Sequence, residues 1–407
     1  MNKASFRNSL KSVRLFLLNN SKLYTKCHAR NKIKKIFSEL LPVDVVAACE
    51  KDEALKRSTV KEYSAKMKSS LTRIEKRIQE KFADPDIYAA REDKDALHDD
   101  ILFCCLAYGF TPSEYVYFHL ENKTPEERKT FLPHQMRRIY CFSMNDRAGM
   151  MVFANKAKTY NCFAPYFKRD AVLISGPKDF EAFNTFITAH PVFVKKLVVS
   201  AGGDGVSLVD VNELGMSAQE LFDSMLKSGK CLLEELVRQR PEMAVLNPSS
   251  VNTVRCFTLN TRHGTKIDFS FVRCGRSGSF VDNATQGGIL AVIDNETGIT
   301  NTCGADEKGR LYDSHPDTGI VMKGFRIPEW DALVSECKSL ASRIPSVRYV
   351  GWDMAYTDKG WVMIEGNCMG QQVGQIVTDK GTRADLIEYM RDMDLLVPLK
   401  FIEKRSV

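Results

Sequence analysis

The segment Gly351-Trp352-Asp353-Met354-Ala355-Tyr356-Thr357-Asp358-Lys359-Gly360-Trp361-Val362-Met363-Ile364-Glu365-Gly366-Asn367 restricts the chain more than any other stretch. Two apolar runs flank Asp358-Lys359-Gly360, a turn-forming triplet, and the pattern predicts an antiparallel hairpin. With a three-residue loop Thr357 pairs with Trp361, and counting back sets Asp353 opposite Glu365. Like charges facing each other across strands repel, so the pair predicts a cation between them. Asn367, two residues further along an extended strand, adds a neutral oxygen on the same side. Three hard oxygens on one face suit magnesium, which keeps its other positions for water and phosphate oxygens. The alternative is an exposed hairpin whose acids have no ligand.

The rest of the chain divides by texture. From Met1 to about Gly149 the reading is helical: Thr59 to Phe82 is rich in long charged side chains, Asp84-Pro85 interrupts it, and Ala96 to Ala107 carries a dense apolar face ending at Gly109. After about Met151, short β-branched runs alternate with glycine turns. Strands are expected over residues 171–175, 192–199, 206–211, 231–237, 253–261, 266–275, 349–356 and 361–365. Helices are expected over 177–190, 217–228, 329–342 and 382–395. Strands outnumber helices and many are joined by hairpin-length turns, so this part reads as α+β with antiparallel sheets.

At 407 residues the chain can form two or three domains, and 44% hydrophobic with 27% charged content is that of a globular protein. The net charge of +7 is concentrated at the front, where ten Lys or Arg fall between Lys3 and Lys35 before the first acid, Glu39. Phe6, Leu10, Val13 and Leu17 recur at helical steps among these bases, a basic amphipathic helix that either packs on the protein or lies on an anionic membrane surface. Arg14 breaks the apolar block and no cleavage signal follows, which argues against secretion, and no apolar stretch is long enough to span a bilayer. The expected location is cytoplasmic, with membrane contact, if any, through residues 1–35. The basic stretch lacks interleaved stacking aromatics, so no nucleic acid is expected. Twelve cysteines with no CxxC pair and no zinc spacing read as reduced, mostly buried thiols.

Three further segments carry chemical signals. In Val192-Phe193-Val194-Lys195-Lys196-Leu197 a lysine within an apolar strand calls for an anion, and Gly202, Gly203 and Gly205 just beyond allow backbone N–H groups to approach phosphate oxygens. One of the two adjacent lysines must point the other way. Cys231-Leu232-Leu233-Glu234-Glu235-Leu236-Val237 ends an apolar strand in carboxylates. Asn252-Thr253-Val254-Arg255 opens a strand with an arginine placed to stabilise charge that develops in phosphoryl transfer; its plainer reading is a salt bridge.

The order and spacing of these segments resemble the ATP-grasp superfamily, and their wording is similar to its sugar-transfer-associated branch. The specific likeness runs from Asn247 to Gly370. It rests on Leu246-Asn247-Pro248-Ser249-Ser250-Val251-Asn252-Thr253-Val254-Arg255, Asp282-Asn283 with Gly287-Gly288-Ile289, His315-Pro316-Asp317-Thr318-Gly319, and the hairpin. The resemblance implies an ATP-grasp fold of two α+β lobes preceded by a mainly helical domain. It divides the chain into a basic segment 1–40, a helical domain 41–150, a first lobe 151–240 and a second lobe 241–400. It further implies ATP bound by Lys156, Lys195, a flap of Gly202, Gly203 and Gly205, the adenine-facing Glu234, Glu235 and Val237, and Glu242 toward the ribose. Magnesium would be held by Asp353, Glu365 and Asn367, with Arg255 and Lys195 catalytic. The acceptor side would draw on Arg273, Asp282, Asn283, Gly287, Gly288 and His315, although His315 beside Pro316 equally suits a structural role. The implied reaction is carboxylate–amine ligation through an acyl phosphate, joining an amino acid to a sugar acid or amino sugar. The rivals are phosphorylation of a sugar or lipid-linked hydroxyl and a noncatalytic scaffold. No Ser/His/Asp or Cys/His arrangement is convincing, in line with catalysis by positioning and charge neutralisation. The sequence does not set the oligomeric state.

Overall fold

The computed structural model describes residues 38–393 and 395, except 67, 201–204, 277, 279–281, 283–286, 307–308 and 370–372. The expectations for the basic segment 1–35, for Gly202, Gly203 and for Asn283 therefore lie outside the described residues. The chain forms two compact units, one of Met1–Arg147, Lys308–Arg310 and Met369–Val407, the other of Ala148–Glu307 and Leu311–Cys368.

The first unit is helical. Helices span Val43–Cys49, Glu53–Lys66, Lys68–Ala83, Lys94–Ala107, Pro112–Tyr117, Pro125–Thr130 and His134–Met144, and after the intervening second unit Val373–Thr378 and Arg383–Asp392. Thr111 with Glu114 and Thr124 with Glu127 form reciprocal capping boxes, each with proline as the first helical residue, which is why these short helices begin where they do. Ile101, Phe103, Phe110, Phe118 and Phe131 form the core, with Phe110 edge-on to Phe118. Asp100 sits at its margin, held by Arg128 at 2.7 Å and Lys56 at 2.7 Å. The chain after Met369, assigned in sequence to the second lobe, groups with these helices. Gln375 explains how: its side chain accepts from the N–H of Leu132 (2.8 Å) and donates to the Leu132 carbonyl (3.1 Å), bonding across 243 residues.

The second unit holds two antiparallel sheets. The first has the order β1-β4-β2-β3, built from β1 (Ala171–Ile174), β2 (Val192–Leu197), β3 (Val206–Asp210) and β4 (Cys231–Glu235). Helices Phe180–Ala189 and Ala218–Ser228 cover one face, burying Phe183, Phe186, Leu221 and Phe222 against Phe193 and Leu233. The second sheet is larger. Its path is β10 (Leu311–Tyr312), β9 (Gly304–Ala305), β7 (Ile289–Asp294), β6 (Gly264–Cys274), β5 (Thr253–Thr261), β11 (Tyr349–Thr357) and β12 (Gly360–Asn367), with β8 (Ile299–Thr300) paired to β7. Helix Trp330–Arg343 packs on β5 and β6, and helix Lys156–Phe167 on β12. Trp352 is buried against Phe153 and Phe163, and its indole N–H donates to Thr258 (2.8 Å). Among the described residues no helix is long and apolar enough to cross a membrane, and no described cysteine forms a disulfide.

Candidate functional site

The hairpin of β11 and β12 sets the site. Gly360, at φ 74°, takes the left-handed backbone position that closes the turn, and it pairs with Thr357 one residue earlier than the three-residue count predicts. The difference is made up further along: a register shift between Asp353 and Met354 skips Ile364, and Asp353 comes to lie opposite Glu365. On its other side Asp353 pairs directly with Arg255 of β5. Directly opposed residues project to the same face, so Arg255, Asp353 and Glu365 form a row across three strands.

Asp353 is wholly buried, and Arg255 grips it bidentately, Nε to Oδ1 and Nη2 to Oδ2, both at 2.5 Å. Arg273 of β6 donates to Asp353 Oδ2 (3.1 Å) and to Asp282 Oδ1 (3.2 Å). The Thr253 hydroxyl accepts from Arg273 and donates to Asp282 Oδ2 (2.5 Å), closing the network. Asn367 Nδ2 lies 2.9 Å from Glu365 Oε1 and 3.5 Å from Asp353 Oδ2. Burial by itself would push the Asp353 carboxyl up, but the two guanidiniums overcome it and hold that carboxyl below the usual range. Burial wins at Asp282, whose carboxyl is pushed up despite Arg273. The Glu365 side chain, 49% exposed, stands at the open edge of the row, where its carboxylate can meet a cation.

A second group of charges comes from the smaller sheet. The strand pleat puts Phe193, Lys195 and Leu197 toward the covering helices and turns Val194 and Lys196 the other way, alongside Glu234. Lys196, rather than Lys195, is thus the inward lysine, and its amine meets Glu234 Oε2 at 2.9 Å. Arg169 binds the same oxygen through Nε (3.0 Å) and Nη2 (2.5 Å) and donates from Nη1 to the Met363 carbonyl on β12 (2.7 Å), bonding the two sheets. Despite burial, these cations keep the Glu234 carboxyl below its ordinary range. Lys156 follows Asn155, whose side chain accepts from the Lys158 N–H and starts the helix. Its amine donates to the carbonyl (3.0 Å) and hydroxyl (2.8 Å) of Ser200, three residues beyond β2. Burial pulls the Lys156 amine down, while Glu365, Lys196 and Glu234 all act on it electrostatically. These three charges stand near enough for their fields to reach the Lys156 amine.

The loop that delivers Arg255 is tied to itself. Asn252 is fully buried and donates to the carbonyls of Met243 (2.9 Å) and Asn247 (2.8 Å), its own N–H donates to Gln239 Oε1 (3.0 Å), and Gln239 donates back to the Ser250 carbonyl (2.6 Å). This fixes the entry to β5 and so the origin of the arginine side chain. A family model described as sugar-transfer associated ATP-grasp matches residues 135–389.

The chain belongs to the sugar-transfer-associated ATP-grasp family. Its fold is that of ATP-grasp proteins, α+β with a helical region in front. Solved structures similar to it include the ATP-grasp ligase PsnB complexed with a minimal precursor, at 11% identity over 60% of this chain and 64% of that one, TM-score 0.38. D-alanyl-alanine synthetase A from Vibrio cholerae matches at 8% identity over 64% and 68%, TM-score 0.37. D-alanine–D-alanine ligase from Bacillus anthracis matches at 12% identity over 64% and 72%, TM-score 0.36. At this distance the likenesses add nothing to the family assignment. The chain spans just under two thirds of PsnB. No curated protein was found to match the sequence.

Several residues singled out in this ATP-grasp sequence sit differently from their expected use. Glu234 is 3% exposed, and its Oε2 is shared by Arg169 and Lys196, which it orients. Arg273 and Asp282 are buried, and Arg273 donates to Asp353 Oδ2 and Asp282 Oδ1. His315 is fully buried, its Nε2 2.8 Å from the Gly275 carbonyl and its Nδ1 accepting from the Asp317 N–H, the structural alternative. Glu242 is exposed and paired with Arg240 at 3.0 Å. Glu235 and Val237 are half-buried at and beyond the end of β4, and Glu235 accepts from the Asp170 N–H (3.1 Å). Gly205, at φ 74°, lies so close to Leu197 that a Cβ there would stand 2.7 Å from its side chain. Gly287, also at positive φ, lies under Arg276, and Gly288 is buried just before β7. Arg169 and Gln239 carry no signal of their own in the sequence, which leaves the choice between Lys195 and Lys196 open. The available signal for Lys196 was the strand alternation that puts it, and not Lys195, in step with Glu234.

Proposed function

We propose that this ATP-grasp chain is an ADP-forming carboxylate–amine ligase that works through an acyl phosphate, with an amino acid and a sugar acid or amino sugar as its substrates in the assembly of a surface polysaccharide. The observation that carries the reading is the row Arg255, Asp353, Glu365 and Asn367 across β5, β11 and β12 in a chain of this family.

The donor set suits magnesium. Asp353 Oδ1 accepts from Arg255 Nε and, as a carboxylate oxygen, has further acceptor capacity; Glu365 is half exposed. The Asn367 amide presents oxygen in place of nitrogen after a half-turn about its last torsion, with little change in shape. Asp353, Glu365 and Asn367 would hold the ion, and when bound it supplies charge neutralisation to the nucleotide phosphates. Arg255 stands beside that position with its charge already desolvated, so little reorganisation is needed as negative charge moves during phosphoryl transfer. Arg273 and Asp282 keep Asp353 in one orientation and one charge state. Lys156 and Lys196 offer amines that would meet phosphate oxygens, and the Glu234 carboxylate orients Lys196. Nothing in this scheme requires a side-chain nucleophile.

The test is a coupled measurement of ADP and inorganic phosphate with magnesium and ATP, using sugar acids and amino sugars against amino acids. The reading expects both products only when a carboxylate and an amine are supplied together, with an amide detected by mass spectrometry. A phosphorylated single substrate with no free phosphate would favour the phosphotransferase reading instead.

A further inference from the structure

Among its described residues the helical unit holds a buried cation without a counter-charge. Arg383, the first residue of helix Arg383–Asp392, is only 7% exposed. Among the described residues no carboxylate lies within ion-pair distance of it. Its guanidinium makes one long bond, Nη2 to the Phe131 carbonyl at 3.4 Å, and its buried Nε has no hydrogen-bond partner. Tyr140, on helix His134–Met144, lies within electrostatic reach and is 1% exposed, and its hydroxyl is also unsatisfied. One turn earlier on the same helix, Arg137 spends its two terminal nitrogens on the Met369 carbonyl and on His134 Nδ1 and leaves its buried Nε without a partner. The two helices are packed together.

A buried charge left uncompensated costs several kcal/mol, and a buried unpaired hydroxyl adds to that. A water molecule would satisfy hydrogen bonds but not the charge. The unsatisfied Tyr140 hydroxyl, on the helix packed against that of Arg383, can donate, and the open edge of Arg383, Nε with the weakly held Nη2, is the planar fork that matches two oxygens of one anion. The N-cap of the helix, Thr382, makes no side-chain cap bond, so the first-turn N–H groups favour negative charge at the same end. The surroundings are specific as well. Gly381 lies so close to the backbone of Thr130 that an added Cβ would stand 2.2 Å from its carbonyl carbon, which fixes the approach of the chain into Arg383.

We propose that Arg383, with the Tyr140 hydroxyl, binds a small oxyanion, the carboxylate or phosphate group of a ligand, between helices His134–Met144 and Arg383–Asp392. The site belongs to the helical unit and is distinct from the row on β5, β11 and β12.

The experiment uses the full chain in buffer of fixed chloride, titrated with inorganic phosphate in one arm and acetate in the other, and reads melting temperature and calorimetric binding. A saturable rise in melting temperature is expected in at least one arm, and which arm responds identifies phosphate or carboxylate as the group bound. Arg383→Met should weaken that binding at least about tenfold while melting at or above the wild-type temperature in anion-free buffer, because the buried charge is gone. Tyr140→Phe should weaken it several-fold with no loss of melting temperature. Lys156→Met, in the other unit, should keep the response. No saturable response in the wild type, a response retained in Arg383→Met, or one lost in Lys156→Met alone would each overturn the proposal, as would an Arg383→Met protein that melts lower without anion.

Discussion

Asp353 and Glu365 face each other across β11 and β12, yet the first is fully buried between two guanidiniums and the second is half exposed. Their removal should therefore differ in kind. Asp353→Asn strips Arg255 of its close carboxylate and leaves Arg273 with Asp282 alone, and urea unfolding should register a loss of about 3–5 kcal/mol. Glu365→Gln should stay within about 0.5 kcal/mol of the wild type, as exposed substitutions do. Equal, small effects at both positions would mean that the buried ion network does not form. The two adjacent lysines make a second contrast. Lys196→Met should raise the KM for ATP at least about tenfold, the scale of one charge-assisted contact, and Lys195→Met should leave it within about twofold, since Lys195 lies on the helix-covered face. The reverse ranking in steady-state kinetics would contradict the pleat assignment. Residue identities alone did not separate these lysines; the parity of the strand relative to Glu234 does.

At the scale of elements, the strands of the second unit were largely legible because each is a short β-branched run between glycine turns. Thr253–Thr261 has the bounds expected for it, and Tyr349–Thr357 differs by one residue. Helix Lys156–Phe167 was not foreseen, since its amphipathic pattern is blurred by Pro165 and by the aromatics Tyr160, Phe163, Tyr166 and Phe167. Strands β8 to β10 are two residues each, too short to show any period. The opposition of Asp353 and Glu365 was legible even though the turn is one residue tighter than counted, because the skipped Ile364 cancels that error. The register also relies on Gly351, where a Cβ would lie 2.5 Å from the Phe257 ring, itself stacked on Tyr349 at 5.3 Å. Gly351→Val should cost about 1–3 kcal/mol by overpacking, measured by thermal or urea unfolding. A neutral result would show that β11 can shift against β5.

At the scale of the molecule, the helical front was legible from composition. The return of the chain after Met369 to that unit was not, because it is set by Gln375, whose partner Leu132 is 243 residues away. Acid stability follows from the buried carboxyls. Asp100, Glu234 and Asp353 are all held below the ordinary range by the cations around them, in spite of burial. In each case the unfolded chain takes up its proton first as pH falls, so the stability these groups contribute is present above about pH 4 and is lost below it. Asp282 and Glu114 are shifted up by burial and act in the opposite sense, but only at higher pH. Urea midpoints should thus fall steeply below about pH 4, and a flat profile there would argue against the buried pairs. The central claim, that the row on β5, β11 and β12 holds a magnesium-bound nucleotide, is tested most directly by calorimetric titration of ATP into the wild type and Glu365→Gln, with and without magnesium. The account expects magnesium to tighten ATP binding in the wild type and to have no such effect in a folded Glu365→Gln protein; equal tightening in both would contradict it.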